Sequence, residues 1–202
     1  MNCQEIINKK VEQLGKYLKE NNLRSMVLGV SGGIDSLLVA YLCNKVFENT
    51  KIKLITVSLP TKTNEVDEVD RAKRAGKLFG TQFIEQSING VFNTVKGNLC
   101  NYGKGNRMHP VRQSNIKARL RMIYLMDIAQ DNWGTVIGTD NATEHILGFY
   151  TIFGDQGMIE PIVDLWKTDI YKIARYIVSQ YTEQFNKEDD VDKKNKLQEY
   201  ID

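Results

Sequence analysis

Apolar positions along the chain recur at two periods, and the two alternate. Residues 1–23 carry Ile6, Ile7, Val11, Leu14, Tyr17 and Leu18 at helical spacing with charges between them, and Asn21-Asn22 reads as the stop. A short apolar run at 25–30, SMVLGV, predicts a buried strand, and residues 35–47 return to a helical pattern. Residues 51–59, KIKLITVSL, are rich in β-formers and end at Pro60. A charged amphipathic helix is expected over 64–79 and a third strand over 81–85. Residues 90–105 hold four glycines and several asparagines, and no period decides their structure. A strong helix follows at 114–129, with Ile116, Ala118, Leu120, Ile123, Tyr124 and Leu125 on its apolar side. A fourth strand is expected at 135–138, a loop-rich stretch over 139–167 and a helix over 168–180. The last 20 residues form a mixed-charge tail, helical or frayed.

Strands alternating with helices imply an α/β fold, a parallel sheet with helices on both faces. In such sheets a ligand sits beyond the carboxyl ends of the strands, at the point where the strand order reverses. The loops after Val30, Leu59, Glu85 and Gly138 are therefore where chemistry is expected. No internal repeat or low-complexity linker interrupts the pattern.

Composition narrows the classes. The chain has 202 residues, enough for a core without metal or disulfide staples. Lys plus Arg number 27 against 25 acids, a balance that argues against a general nucleic-acid binder. No apolar run approaches the roughly 20 residues of a membrane span, and MNCQEIINKK has no apolar stretch of a signal peptide. Cys3, Cys43 and Cys100 are odd in number and far apart, with no CxxC, so neither a disulfide framework nor a zinc knuckle is expected. The expected compartment is the reducing cytoplasm.

The loop after the first strand carries the strongest local signal. Ser31-Gly32-Gly33-Ile34-Asp35-Ser36 joins a strand directly to a helix. Two glycines let the backbone approach an anion and adopt positive φ. The helix N-terminus offers free N–H groups and the positive end of its dipole, which suits phosphate. Ser31 and Ser36 add hydroxyls. Asp35 fits an anion site only with a divalent cation between it and the phosphate. The lysine of GxxxxGK[ST] is absent, so this is not a Walker A loop. The alternative is a tight strand–helix turn with a serine cap.

SGGxDS in this position resembles the pyrophosphate loop of the N-type ATP pyrophosphatases, among them GMP synthetase, asparagine synthetase, several tRNA-modifying enzymes and NAD synthetase. That resemblance implies cleavage of ATP between its α and β phosphates and activation of a carboxylate or carbonyl as an adenylate. A second set of motifs narrows the branch. Asn115-Ile116-Lys117-Ala118-Arg119-Leu120-Arg121-Met122 precedes VIGTDNATE at 136–144, read as a strand, then GFYTIFGD at 148–155, then EPIVDLWKT at 160–168. This order is similar to that of the short, ammonia-dependent NAD synthetases: N-x-K-A-R-x-R-M, G-T-D-x-A-x-E, G-[FY]-[FY]-T-K-x-G-D, P-x-x-x-L-x-K. It runs from about residue 26 to 177, about three quarters of the chain.

The resemblance implies one Rossmann-like ATP pyrophosphatase domain over 1–202 and roles for particular residues. Gly29, Ser31, Gly32, Gly33, Asp35, Ser36, Thr139 and Lys167 would bind ATP, with Lys167 stabilising the departing pyrophosphate. Asp35 and Glu144 would ligate Mg2+; the plainer reading of Glu144 is a helix cap. Arg119 would contact the dinucleotide. Lys117 and Arg121 lie near the same face, and a solvated basic face is their alternative. Asp155 is the candidate for holding ammonium and accepting its proton. His145 is expected to be a bystander and Cys43 a core residue. ATP, ammonia and deamido-NAD would be the small-molecule partners, nucleic acid and membrane would play no part, and a homodimer is expected by analogy.

The pattern also departs from the family. Ile152 stands where the family has a lysine. The stretch from Gly154 to Pro161 is one residue shorter and lacks the second aspartate, leaving Glu160 before Pro161. In the family that lysine and aspartate recognise deamido-NAD. The family's P-T-A-D-L-type segment has no counterpart in the 202 residues, nor has a glutaminase region, so free ammonia or a separate partner is the expected nitrogen source. Three readings stand: amidation of deamido-NAD to NAD, the same adenylation chemistry on another substrate, and an ATP-binding module without turnover. Against a tRNA substrate stand the missing cysteine pair and the absence of a basic appended domain.

Overall fold

In the computed structural model, which describes residues 1–100 and 108–201, a four-stranded sheet is held between two layers of helices. The chain opens with α1 (Cys3–Glu20), capped by the Asn2 side chain on the Glu5 N–H. β1 (Ser25–Gly29) leads through the Ser31–Gly33 turn into α2 (Ile34–Thr50), and β2 (Lys53–Ser58) into α3 (Val66–Phe79). β3 (Gln82–Glu85) is followed by α4 (Asn89–Cys100) and α5 (Pro110–Asp131). β4 (Gly134–Ile137), α6 (Ala142–Leu147), α7 (Lys167–Lys187) and α8 (Val191–Ile201) complete it.

All three ladders are parallel and the strand order is β3-β2-β1-β4. The order reverses between β1 and β4, so the switch point lies beyond Gly29 and Ile137. Central strands buried on both faces read as continuous apolar runs, as MVLG and KLITV do. Met26 and Leu28 turn to a core made with Leu14 and Leu18 of α1, Leu38 and Val39 of α2, and Ile170 and Ile173 of α7. Val27 and Val136 turn to the other core, with Phe92 of α4 and Leu120 and Leu125 of α5. Side chains as fully buried as Leu28 and Ile55 each contribute about 1.5–3 kcal/mol of transfer free energy.

Two expectations need correction, the strand over 136–144 and the placing of Ile123, and two other stretches gain detail. The glycine-rich stretch is helical over Asn89–Cys100, where Phe92 packs into the second core; its remainder to 105 lies outside the described residues. The strand expected over 136–144 ends at Ile137, because the Asn141 side chain accepts from Glu144 N–H and nucleates α6 instead. Within the stretch expected to be loop, Met158 N–H donates to Val136 O at 3.0 Å and Gly138 N–H to Ile159 O at 2.7 Å, adding a short parallel bridge outside β4. Ile123 does not face the core; it is 62% exposed on the outer side of α5. The tail is helical, in the end of α7 and in α8, where Tyr200 stacks on Tyr181 at 4.4 Å; Asp202 lies outside the described residues. No helix among the described residues is long and apolar enough to cross a membrane.

Candidate active site

The carboxyl ends of β1, β2 and β4 open into a cleft of about 390 Å³. Val57, Leu59, Met122, Leu125 and Val136 line it with apolar side chains, and Ser31, Gly32 and Gly33 bring polar backbone and a hydroxyl to it. Gly29 and Thr139 also line it.

The turn between β1 and α2 is built by its own hydroxyls. Ser36, buried in the first turn of α2, donates from Oγ to Gly33 O at 2.9 Å and accepts from Ser31 N–H at 3.3 Å. Ser31 Oγ in turn accepts from Gly33 N–H at 3.2 Å. Ser36 therefore shapes the loop from behind. Gly32 has φ +80°, and a Cβ there would lie 2.5 Å from Glu68 O of α3, so both its backbone conformation and its space require glycine. Gly33 caps α2 without a side-chain bond, leaving the helix N-terminus free toward the cleft mouth.

Asp35 sits one residue into α2. Its Oδ1 accepts from Asn141 Nδ2 at 3.0 Å, and its Oδ2 pairs with Lys167 Nζ. The same ammonium reaches Glu144 Oε1 at 3.6 Å. Burial pulls the Lys167 ammonium down, but the Asp35 bond and charge and the Glu144 charge outweigh it, and its pKa lies above the ordinary lysine value. Three segments far apart in sequence are fixed to this point: α2 by Asp35, α6 by Glu144 in a reciprocal capping box with Asn141, and α7 by Lys167, whose N–H donates to Thr143 Oγ1 at 3.0 Å. Two carboxylates converging on one cation beside a phosphate-type loop form a donor set suited to a hard dication that takes its other ligands from phosphate and water. Glu144 is thus both the helix cap of the plain reading and a member of this group.

The other wall carries Asp155. Its Oδ1 accepts from Thr151 N–H at 2.6 Å. Burial raises its pKa, while that bond, its own backbone N–H, Arg121 and Arg119 act the other way. Next to it lies a residue to which the motif reading gave no role. Asp140 is 6% exposed, its Oδ2 is buried without a hydrogen-bond partner, and burial, Glu160, Asp155 and Glu144 push it up to about 6 against His145. The only prior signal was its place in GTDNATE. His145 stacks on Tyr150 at 5.6 Å and its charge acts against the rise at Asp140 and Glu160. Glu160, raised by burial, packs toward Gly138.

Arg119 stands apart from the cleft. It is exposed, donates from Nε to Ile152 O at 3.1 Å, and lines a shallow depression with Ile123, Met126 and Phe153 on the outer side of α5. Lys117 binds Thr63 Oγ1 at 2.7 Å and lies 5.0 Å from the Phe92 ring centroid. Arg121, by contrast, points inward and lines the cleft. Cys43 is buried in the first core, and burial pushes its thiol up.

Known proteins resemble this chain in sequence and in fold. The NAD synthase family profile matches residues 6–188. The NH(3)-dependent NAD(+) synthetase of Finegoldia magna is 37% identical over 174 residues, covering 84% of this chain, which spans 68% of that relative's length. Among solved structures, the NMN synthetase of Francisella tularensis superposes with a TM-score of 0.79 at 29% identity, over 87% of this chain and 71% of its own. The NH3-dependent NAD synthetase of Campylobacter jejuni gives 0.76 at 25% identity, over 100% and 94%. A glycine-rich strand–helix turn, two carboxylates on the Lys167 ammonium and a cleft at the switch point are thus found in a chain that belongs to the NAD synthase family.

Proposed function

We propose that the protein is an ATP-dependent, ammonia-using ligase that converts deamido-NAD to NAD through an adenylated carboxylate, releasing AMP and pyrophosphate. The observation that carries this reading is the cleft itself: apolar side chains, the Ser31–Gly33 turn at the helix N-terminus and Asp155 line one space at the carboxyl ends of the strands.

A carboxylate oxygen of the acceptor attacks the α-phosphorus, the bond from that phosphorus to the bridging oxygen breaks, and pyrophosphate leaves. The N–H groups of the loop and Lys167 meet the charge that accumulates on the leaving group. Ammonia then attacks the acyl carbon, AMP departs, and the proton released from nitrogen passes to the Asp155 carboxylate. Burial makes Asp155 a stronger base than an exposed aspartate. Asp35 and Glu144 are the residues that would hold Mg2+, which when bound neutralises polyphosphate charge. Three free cysteines, one of them fully buried, accord with a cytoplasmic home.

A second reading changes the acceptor. Ile152 stands in place of the lysine and the shortened 154–161 stretch lacks the aspartate that the family resemblance assigns to the dinucleotide, and the Francisella neighbour is an NMN synthetase. The nicotinate form of that mononucleotide has the same reacting carboxylate and lacks the adenylate half. Purified protein with Mg–ATP and ammonium is therefore offered each acceptor separately, and AMP and the amide product are followed by mass spectrometry. AMP and NAD in equal amounts, only with deamido-NAD, are expected. NMN formed in preference establishes the second reading, and no amide from either sinks both.

We further propose that two copies pair across the outer side of α5. Ile123, Met126 and Phe153 form an exposed apolar depression around Arg119, and a second copy closing over it would bring that arginine to a covered site.

A further inference from the structure

Arg121 is held in a way that no role given so far explains. It lies half-buried on the cleft side of α5, one turn from Ala118 and Leu125, which line the same cleft. Its Nε donates to Leu59 O at 3.1 Å, so the guanidinium is tied to the chain just after β2. Among the described residues its two terminal nitrogens make no hydrogen bond and no ion pair. Asp155 and Glu68 act on it by charge from further away, and burial is the largest influence, lowering its proton affinity. A desolvated cation without a bonded anion is costly, and an arriving anion relieves that cost. With Nε already used, the terminal N–H groups form a planar fork, the arrangement that grips two oxygens of one phosphate.

We propose that Arg121 contacts the nucleotide directly, donating its terminal N–H groups to a phosphate oxygen of ATP inside the cleft. This rests on the ATP-binding part of the proposed function and adds to it a charged contact from α5, which lines the same cleft as the Ser31–Gly33 turn. A lysine cannot fill the position, because one ammonium cannot both reach Leu59 O and fork onto phosphate. The competing role is a strut that only joins α5 to the end of β2.

Calorimetric titration of Mg–ATP and of adenosine, without any acceptor, separates the two roles. In Arg121→Gln, ATP is expected to bind at least about tenfold more weakly while adenosine is unchanged within about twofold. In Arg121→Lys the charge remains and ATP is expected to weaken about threefold or more, again with adenosine unchanged. A strut predicts that both ligands weaken together, and either that result or no change in ATP overturns the proposal. If Arg121→Gln does not fold, the lysine variant decides by the same comparison. Neither titration requires amide formation, so a protein inactive on both nicotinate acceptors still tests Arg121.

Discussion

Single residues in and beside the site carry opposed demands of burial and charge. Asp140 shows the sign most plainly. Its folded-state pKa is raised from 3.8 to about 6, so the fold favours its neutral form. That preference contributes stability below the ordinary value and is lost as pH rises through about 6. Above that, an ionised oxygen sits buried without a partner among other carboxylates. In nucleotide-free protein Asp140→Asn should therefore gain about 2 kcal/mol at pH 8 and almost nothing at pH 4. Urea unfolding at both values checks it; a gain independent of pH would contradict the burial argument. Lys167 faces the reverse situation, a cation held by Asp35 and Glu144. Lys167→Met should keep the fold and lower kcat/KM for ATP by about 10²–10³-fold, as expected for losing one preorganised charge on a leaving phosphate. A loss below about tenfold would remove Lys167 from the phosphates.

Elements differ in how far the chain announces them. Strands β1 and β2 and helices α1, α3 and α5 carry enough period for pattern alone to find them. α4 does not, because Gly90 and Gly97 lower its helical propensity and its stability comes from Phe92 packing into the second core. α6 has six residues, too few for periodicity, although Asn141 and Glu144 at capping-box spacing marked its start. The phosphate-type loop was legible from local chemistry. The Asp35–Lys167 pair was not, since 132 residues separate the partners and only the family resemblance linked them. Nor was the inward course of Arg121 distinguishable from the outward course of Arg119 two positions earlier. The bridge outside β4 was hidden for another reason: it depends on two glycines crossing. A Cβ at Gly157 would fall 2.0 Å from Gly138 N and 2.7 Å from Ile137 C. Gly157→Ala should therefore lift the 157–160 segment from β4, shift Asp155, and cost about 1–3 kcal/mol by overpacking. The readout is a lowered urea midpoint together with a reduced kcat; full activity at unchanged stability would mean the segment has room to move.

At the scale of the whole molecule, the two sides of α5 divide the work. The inner side, with Ala118, Arg121, Met122 and Leu125, walls the cleft, and the outer side presents Ile123, Met126 and Arg119 beside Phe153, which is 80% exposed. Exposed Ile123, Met126 and Phe153 beside Arg119, with Asp127 and Gln130 at the same depression, are poorly satisfied against water. Covered by the same patch of a second copy about a two-fold axis, they become an interface and enclose Arg119. A charge at its centre should then separate assembly from nucleotide binding. Ile123→Glu is expected to sediment as a monomer where the parent sediments as a dimer. Its ATP affinity should stay within about twofold, because the cleft lies across the helix. Its KM for the nicotinate acceptor should rise at least about tenfold, because the covered site around Arg119 is lost. A parent that is itself monomeric, or a monomeric variant with an unchanged acceptor KM, would mean that one copy holds everything the acceptor touches.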